Sequence, residues 1–263
     1  MGTVLSEHVQ QFREKGFFIL EKVLDPAMLT HLRDFSSKEI ERMHEKMDRE
    51  GTDVLGINHR NRRYFIPHSF RQHAKNYAFI FGDLMEDICR ATLGDTAWFF
   101  LDQYVIKAAQ KGVHFSWHQD SGYIEFDHEP YITCWTALDE VTEQNGTVYM
   151  LPYPEIGIRS RVRHILDPQF NDRVGYFGDK PGIPVIVPAG SVAVFSSVCF
   201  HRSGANTTSE MRRVLLTQYS KAPIVNPWTG ERVLEGIPFL RDGNRVDIGF
   251  EAARILPEPV FKG

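Results

Sequence analysis

Six short segments between Trp98 and Ser220 constrain the fold more than any other feature of this sequence. WFFLDQYVI, YITCWTAL, GTVYML, IPVIV, SVAVF and RRVLLTQYS are rich in β-branched and aromatic residues and are separated by Gly, Pro, Asn and Asp. Strands this short are stable only inside sheets, so the middle of the chain predicts an antiparallel double-sheet roll. The first third reads differently. Ser6 is placed to cap a helix that carries Val9 and Phe12 and stops at Gly16. FFIL (Phe17 to Leu20) reads as a buried strand. Asp25-Pro26 opens a helix running to about Glu50, with Met28, Leu29, Leu32, Phe35, Ile40 and Met43 at helical spacing. A third helix is expected over Ala74 to Leu93, ending at Gly94. The pattern predicts a mostly β fold with an N-terminal α layer packed on one face of the roll. We expect one domain over residues 1–263: a helical layer (1–95), a roll (96–222) and a C-terminal extension (223–263).

A net charge of −4 argues against a general nucleic-acid binder. No apolar run approaches the roughly 20 residues of a membrane helix, and MGTVLSEHVQQF lacks the apolar region of a secretory leader. Cys89, Cys134 and Cys199 are too few and scattered for a disulfide framework or thiolate zinc site, so they read as buried free thiols in a reducing, cytoplasmic protein. The expected partner is a small molecule, and the expected assembly a monomer or homodimer.

WHQDSGY, from Trp117 to Tyr123, places a histidine and an aspartate two residues apart beside a strand. An oxygen-activating iron(II) centre needs two neutral imidazoles and one carboxylate on one face of the metal, with the other positions open. On an extended strand His118 and Asp120 would point the same way. His201, in SSVCFHRSG directly after SVAVF, is the best second imidazole. His114 competes but has no acid at the right distance. His128 sits too close to the triplet, and His164 follows RSRVR in a charged loop. Arg212 lies eleven residues past His201, at the start of RRVLLTQYS. Its guanidinium would match the far carboxylate of a keto diacid bound to the iron.

With these residues in place, the chain resembles the phytanoyl-CoA dioxygenase family of iron(II)/2-oxoglutarate oxygenases, in its ectoine-hydroxylase-like, small-substrate branch. FREKGFFILEKVLDPAMLTHLR, WHQDSGY, YITCWTALDEVTEQNGTVYMLP and HRSGANTTSEMRRVLLTQY carry the resemblance, which covers most of the chain. It implies a double-stranded β-helix (jelly roll, cupin-like) core flanked by helices. It also implies iron(II) held by His118, Asp120 and His201, with 2-oxoglutarate and O2 as cosubstrates. Arg212 would pair with the 2-oxoglutarate tail, and Trp135, Ser203 and Gln103 would line or hydrogen-bond it. Halogenating relatives lack the carboxylate, so Asp120 favours hydroxylation.

For the substrate, NHRNRRYFIPHSF (Asn58 to Phe70) is an irregular, arginine-rich stretch. Arg60, Arg62 and Arg63 read either as a solvated surface or as pocket residues. Lys107 shares a strand face with Gln103. Arg62 or Arg63 with Lys107 would pair with a small anionic or zwitterionic metabolite, such as a phosphonate of the 2-aminoethylphosphonate type. Tyr123, Asp127 and His128 read either as substrate contacts or as loop residues. The alternatives are a cupin-like metal protein without oxygenase chemistry, a non-catalytic relative, or an oxygenase acting on a larger natural product. NPWTGERVLEGIPFLRDGNRVDIGF reads as a segment wrapping over the pocket mouth.

Overall fold

The computed structural model describes residues 2–109, 114–167 and 172–257, so residues 258–263 of the expected extension lie outside it. Helix α1 (Ser6–Lys15) is capped by Leu5 rather than Ser6, because His8 Nδ1 takes the Leu5 N–H at 3.1 Å. It ends at Gly16 with φ 89°, and β1 (Phe17–Leu20) follows. Helix α2 (Pro26–Glu50) starts as expected, with Asp25 Oδ1 accepting the Met28 N–H at 2.9 Å. The arginine-rich stretch is more regular than its composition suggests: it forms β2 (Val54–Leu55), β3 (Asn58–His59) and β4 (Arg63–Pro67).

The expected third helix is broken. A short α3 (Ser69–Gln72) precedes α4 (Ala74–Ile80) and α5 (Asp83–Thr92). The break falls at Gly82, where a Cβ would lie 2.5 Å from the Ala78 carbonyl oxygen. A residue without a side chain lets the chain turn that corner, a tertiary constraint that helical periodicity does not register.

The sheets are built from β5 (Ala97–Lys107), β6 (Phe115–His118), β7 (Ile132–Ala137), β8 (Val148–Leu151), β9 (Ile165–Asp167), β10 (Asp172–Val174), β11 (Ile183–Pro184), β12 (Val192–Ser196), β13 (Phe200–Ser203) and β14 (Arg212–Ser220). A short α6 (Tyr153–Ile156) lies between β8 and β9, and β15 (Ile237–Arg241), β16 (Asn244–Arg245) and α7 (Phe250–Arg254) close the described chain. The larger sheet runs β1-β12-β7-β14-β5-β4-β3-β2, with β15 also on β5; the smaller runs β11-β8-β13-β6. All named pairings are antiparallel. This is the expected β-rich jelly-roll core with helices on one side.

Alternation divides the larger sheet's two faces. Tyr104, Ile106, Cys134 and Leu215 pack with Leu32, Phe35, Tyr77, Ile80 and Ile88 of the helices. Trp135, Ala193, Phe195 and Val214 turn inward, toward Val148 and Met150 of the smaller sheet. Cys89, Cys134 and Cys199 are buried and free. No helix among the described residues is long and apolar enough to cross a membrane.

Candidate metal centre and its cavity

His118 ends β6 and His201 lies on β13, directly opposite each other in register. The pairing shifts between His201 and Ser203, where β6 carries an extra residue; bulges of this kind re-aim side chains beside functional sites. The two rings sit with centroids 4.2 Å apart. Asp120 is not on the strand, as expected from the spacing, but begins a 3-10 turn (Asp120–Tyr123). The turn still delivers the carboxylate: Asp120 Oδ1 lies 3.4 Å from His201 Nε2 and 4.0 Å from His118 Nε2. Among the described residues these three are the single group of His, Cys, Asp and Glu able to share one metal ion, with ligand atoms within 4.8 Å of one another.

The surrounding hydrogen bonds aim these atoms. His118 Nδ1 faces the Ser116 carbonyl at 2.7 Å and His201 Nδ1 faces that of Cys199 at 3.1 Å. A carbonyl only accepts, so both Nδ1 atoms carry a proton, and both Nε2 atoms are turned toward the site. Asp120 Oδ2 accepts from the Thr133 hydroxyl and, at 3.1 Å, from Gln218 Nε2, which turns Oδ1 toward the imidazoles. Burial, reinforced by His201, pushes the His118 imidazole far below its usual range, so it is neutral. Burial alone would raise Asp120, but His201, His118 and Thr133 outweigh it and hold the carboxyl below the ordinary carboxylate range. Two imidazoles and one carboxylate, grouped on one side, suit a ferrous ion with open positions.

A cavity of about 530 Å³ opens beside the cluster, between the inner faces of the two sheets. One end is cationic. Lys107 pairs with both Arg212 and Arg63 in register, so three cations lie in a row across β14, β5 and β4, and all three line the cavity. Arg212 is 1% exposed; its Nη2 donates to the Gly146 carbonyl at 2.9 Å, while Nε and Nη1 are buried without partners. Lys107, equally buried, donates to Ser203 Oγ at 2.8 Å and to the Gly204 carbonyl. Burial lowers Arg212 to about 10. Burial and the neighbouring Arg212 hold Lys107 well below its usual range. Directly opposed like charges destabilise a sheet, and orphaned guanidinium donors are costly. An anion lying over this row, such as the tail of 2-oxoglutarate, relieves both. Trp135 stacks on this end, with the Arg212 guanidinium 5.5 Å from its ring, and Gln103 and Ser203 also line the wall.

The other end is apolar. Phe100, Leu101, Ile124, Tyr131, Val233 and Leu234 line it, joined by His68. Phe100 and Leu101 both contribute because the β5–β14 register slips between Gln218 and Tyr219. The C-terminal segment thus forms a cavity wall through Val233 and Leu234.

The remaining candidates divide. Tyr123 lines the cavity, edge-on to the His118 ring at 5.6 Å. Arg62 is exposed in the turn before β4 and is not among the lining residues. Arg60 binds Asp48 and Asp53 on the surface. Asp127 faces Arg161, and His128 holds the Phe126 carbonyl and Ser121. His114 is exposed and stands outside the cluster.

Two residues matter more than sequence reasoning suggests. His164 is buried: its Nε2 accepts the Gln119 N–H at 2.8 Å, and Gly122 and Gly175 close over its ring so tightly that a Cβ on either would overlap it. Gln119 is also buried and donates to the Ser160 and Val198 carbonyls. Together they brace the turn that swings Asp120 off the strand. The pair of glycines flanking a histidine was the available signal, but only folding brings it together.

The profile of the phytanoyl-CoA dioxygenase family matches residues 12–214. A probable phytanoyl-CoA dioxygenase of Caenorhabditis elegans is 29% identical over 117 residues, covering 39% of this chain and 35% of that protein. A methylphosphonate hydroxylase of Gimesia maris is 28% identical over 139 residues, covering 51% of this chain and 49% of that one. The matches thus span about a third to half of these relatives' lengths. The crystal structure of SnoK, a non-haem α-ketoglutarate-dependent carbocyclase from nogalamycin biosynthesis, aligns with TM-score 0.65 over 99% of this chain and 94% of its own, at 18% identity.

Proposed function

The chain belongs to the phytanoyl-CoA dioxygenase family, and from that premise we propose that it is an iron(II)- and 2-oxoglutarate-dependent dioxygenase. It hydroxylates an unactivated C–H bond of a small molecule while 2-oxoglutarate is converted to succinate and CO2. The observation that carries this reading is the buried Arg212–Lys107 pair, with two orphaned guanidinium nitrogens, on the wall shared with the His118–Asp120–His201 cluster.

Bound iron(II), with 2-oxoglutarate and O2, supplies the oxidising power. The protein's own residues do the rest. The Nε2 atoms of His118 and His201 and Oδ1 of Asp120 hold the ion, and Thr133 and Gln218 keep the carboxylate turned toward it. Arg212 and Lys107 take the far carboxylate of 2-oxoglutarate, which fixes where its keto acid end reaches. Trp135 and Phe195 keep that end dry. Anaerobic addition of iron(II) and then 2-oxoglutarate tests the proposal: a weak visible charge-transfer band develops in the wild type. A protein that binds iron with no 2-oxoglutarate-dependent band would instead be a cupin-like metal protein.

For the substrate, the reading from the sequence is a small anionic or zwitterionic metabolite, and the name of the Gimesia maris relative supports a phosphonate. Arg63, at the outer end of the cation row, would bind its anionic group. A second reading, a larger and mainly apolar natural product, is favoured by the lining of the opposite end of the cavity. Succinate release across small phosphonates and across hydroxylated polycyclic compounds separates the two.

A further inference from the structure

Asp172 is the one charge in the cavity that the metal and its cosubstrate do not use. Among the lining residues only Asp120 and Asp172 carry a carboxylate, against the cations Arg63, Lys107, Arg202 and Arg212. Asp120 is committed: Oδ1 faces the two imidazoles, and Oδ2 accepts from Thr133 and Gln218. Asp172 is only half committed. It opens β10 and is 6% exposed. Its Oδ2 accepts the Ser116 N–H at 2.7 Å, and the Gly175 N–H donates to the Trp117 carbonyl at 2.9 Å, so β10 is docked along β6 beside His118. Among the described residues no donor reaches Oδ1, and the carboxylate forms no ion pair. Its charge is nevertheless felt nearby. Burial and Arg212 lower Lys107, and Asp172 only partly opposes them; burial raises the Tyr123 phenol, and Asp172 adds to the rise.

Docking β10 requires one neutral acceptor, which an asparagine oxygen would supply equally well. It does not require a buried negative charge, which is costly unless it is paired. On the dioxygenase reading, the tail of 2-oxoglutarate takes up Arg212 and Lys107, so neither is left to balance Asp172. Resting on that reading, we infer that Asp172 is a specificity-determining residue that binds a protonated amine of the substrate. Oδ1 accepts from the ammonium. Tyr123, within reach of the Asp172 charge and edge-on to the His118 ring at 5.6 Å, offers its own ring to the same cation. The ammonium is thereby held beside the metal cluster, and the carbon presented for oxidation lies a short way along the chain from a basic nitrogen. The substrate class narrows to amines and zwitterions. Arg63 takes an anionic group where the substrate has one, and a compound without a basic nitrogen loses the contact that aligns it.

The test uses the full chain loaded anaerobically with iron(II) and 2-oxoglutarate at neutral pH, and three probes on one skeleton: 1-hexylammonium, 1-hexanol and hexanoate. Binding is read from perturbation of the visible chelate band. In the wild type the ammonium perturbs the band at about tenfold lower concentration than the alcohol, as expected for one charge-assisted hydrogen bond, and hexanoate binds most weakly. Asp172→Asn, which keeps an acceptor for the Ser116 N–H, forms the same chelate band but loses the preference for ammonium over alcohol. A preference retained in Asp172→Asn, a wild type that binds hexanol or hexanoate as tightly as the ammonium, or no response to any probe each overturns the inference. A chelate band lost in Asp172→Asn but present in the wild type would tie the residue to the fold or the cosubstrate site, and overturns it as well. Absence of the chelate band in the wild type would instead overturn the dioxygenase reading itself.

Discussion

The two ends of the cavity are built by different means. The cationic end stands on the inner faces of adjoining regular strands: Arg212, Lys107 and Arg63 come from β14, β5 and β4, and their positions follow from register. The apolar end is assembled from a bulge, a 3-10 turn, a left-handed turn before α3 and the C-terminal segment. Regular strands fix the geometry of the cation row, whereas irregular backbone can be reshaped without disturbing the sheet. On the proposed reading, cosubstrate binding and substrate choice can therefore vary independently. Every prediction below probes that separation.

The largest effect is expected where the two ends meet. His201→Ala removes an imidazole from the metal cluster, so turnover is lost, and iron(II) titration finds no stoichiometric site. Retention of iron-dependent succinate formation would place the metal elsewhere. Arg212→Met comes next: it leaves the iron site intact but removes the buried guanidinium, weakening 2-oxoglutarate by about a hundredfold or more, read by titrating the visible band. If the ends are separable, the residual enzyme keeps its order of preference among substrates.

Thr133→Val is expected to be milder. It deletes a hydrogen bond to Asp120 Oδ2 while Gln218 remains, and loss of one such outer contact weakens the metal about tenfold. A fall in iron affinity with unchanged 2-oxoglutarate affinity, measured at saturating iron, assigns Thr133 to aiming the carboxylate. A fall in both would mean that the cationic end depends on the cluster's geometry.

The same contrast governs what the sequence reveals. The grouping of His118, Asp120 and His201 is legible because a ferrous site calls for these residue types, and His118, His201 and Arg212 lie in strands with strong patterns. The reason Asp120 faces the two imidazoles is not legible: a 3-10 turn braced by His164 and Gln119 replaces the expected strand. The strand face of Lys107 predicts a substrate contact, but only cross-strand register puts it beside Arg212. The apolar end is largely invisible in the sequence. His68, Phe100 and Val233 are far apart in sequence, and a bulge or a left-handed turn is a tertiary outcome with little local signature. The helix break at Gly82 has the same origin, since the obstructing atom is a carbonyl oxygen rather than a side chain.

The smallest effect on the metal and its cosubstrate is expected from Asp102→Asn, which probes the stability cost of the irregular end. Asp102 is 1% exposed, and its Oδ1 has no hydrogen-bond partner. Burial pushes its carboxyl from an ordinary 3.8 up to about 6, although hydrogen bonds from Ser69, next to the left-handed turn at His68, partly oppose the rise. Below about pH 4 the group is protonated whether the chain is folded or not, and it contributes no pH dependence. Between about pH 4 and 6 the unfolded chain releases the proton while the folded one keeps it, so this group lowers stability as pH rises. The full loss is about 2–3 kcal/mol and stays constant above that window. Asn keeps an acceptor for Ser69 and cannot ionise. Denaturant unfolding at pH 4, 5, 6 and 7 should therefore show the variant gaining on the wild type up to pH 6 and then running parallel. The 2-oxoglutarate-dependent band should be the same in both. A difference that does not change with pH would mean that Asp102 is ionised throughout, and that the strained turn is held by charge instead of by a neutral carboxyl.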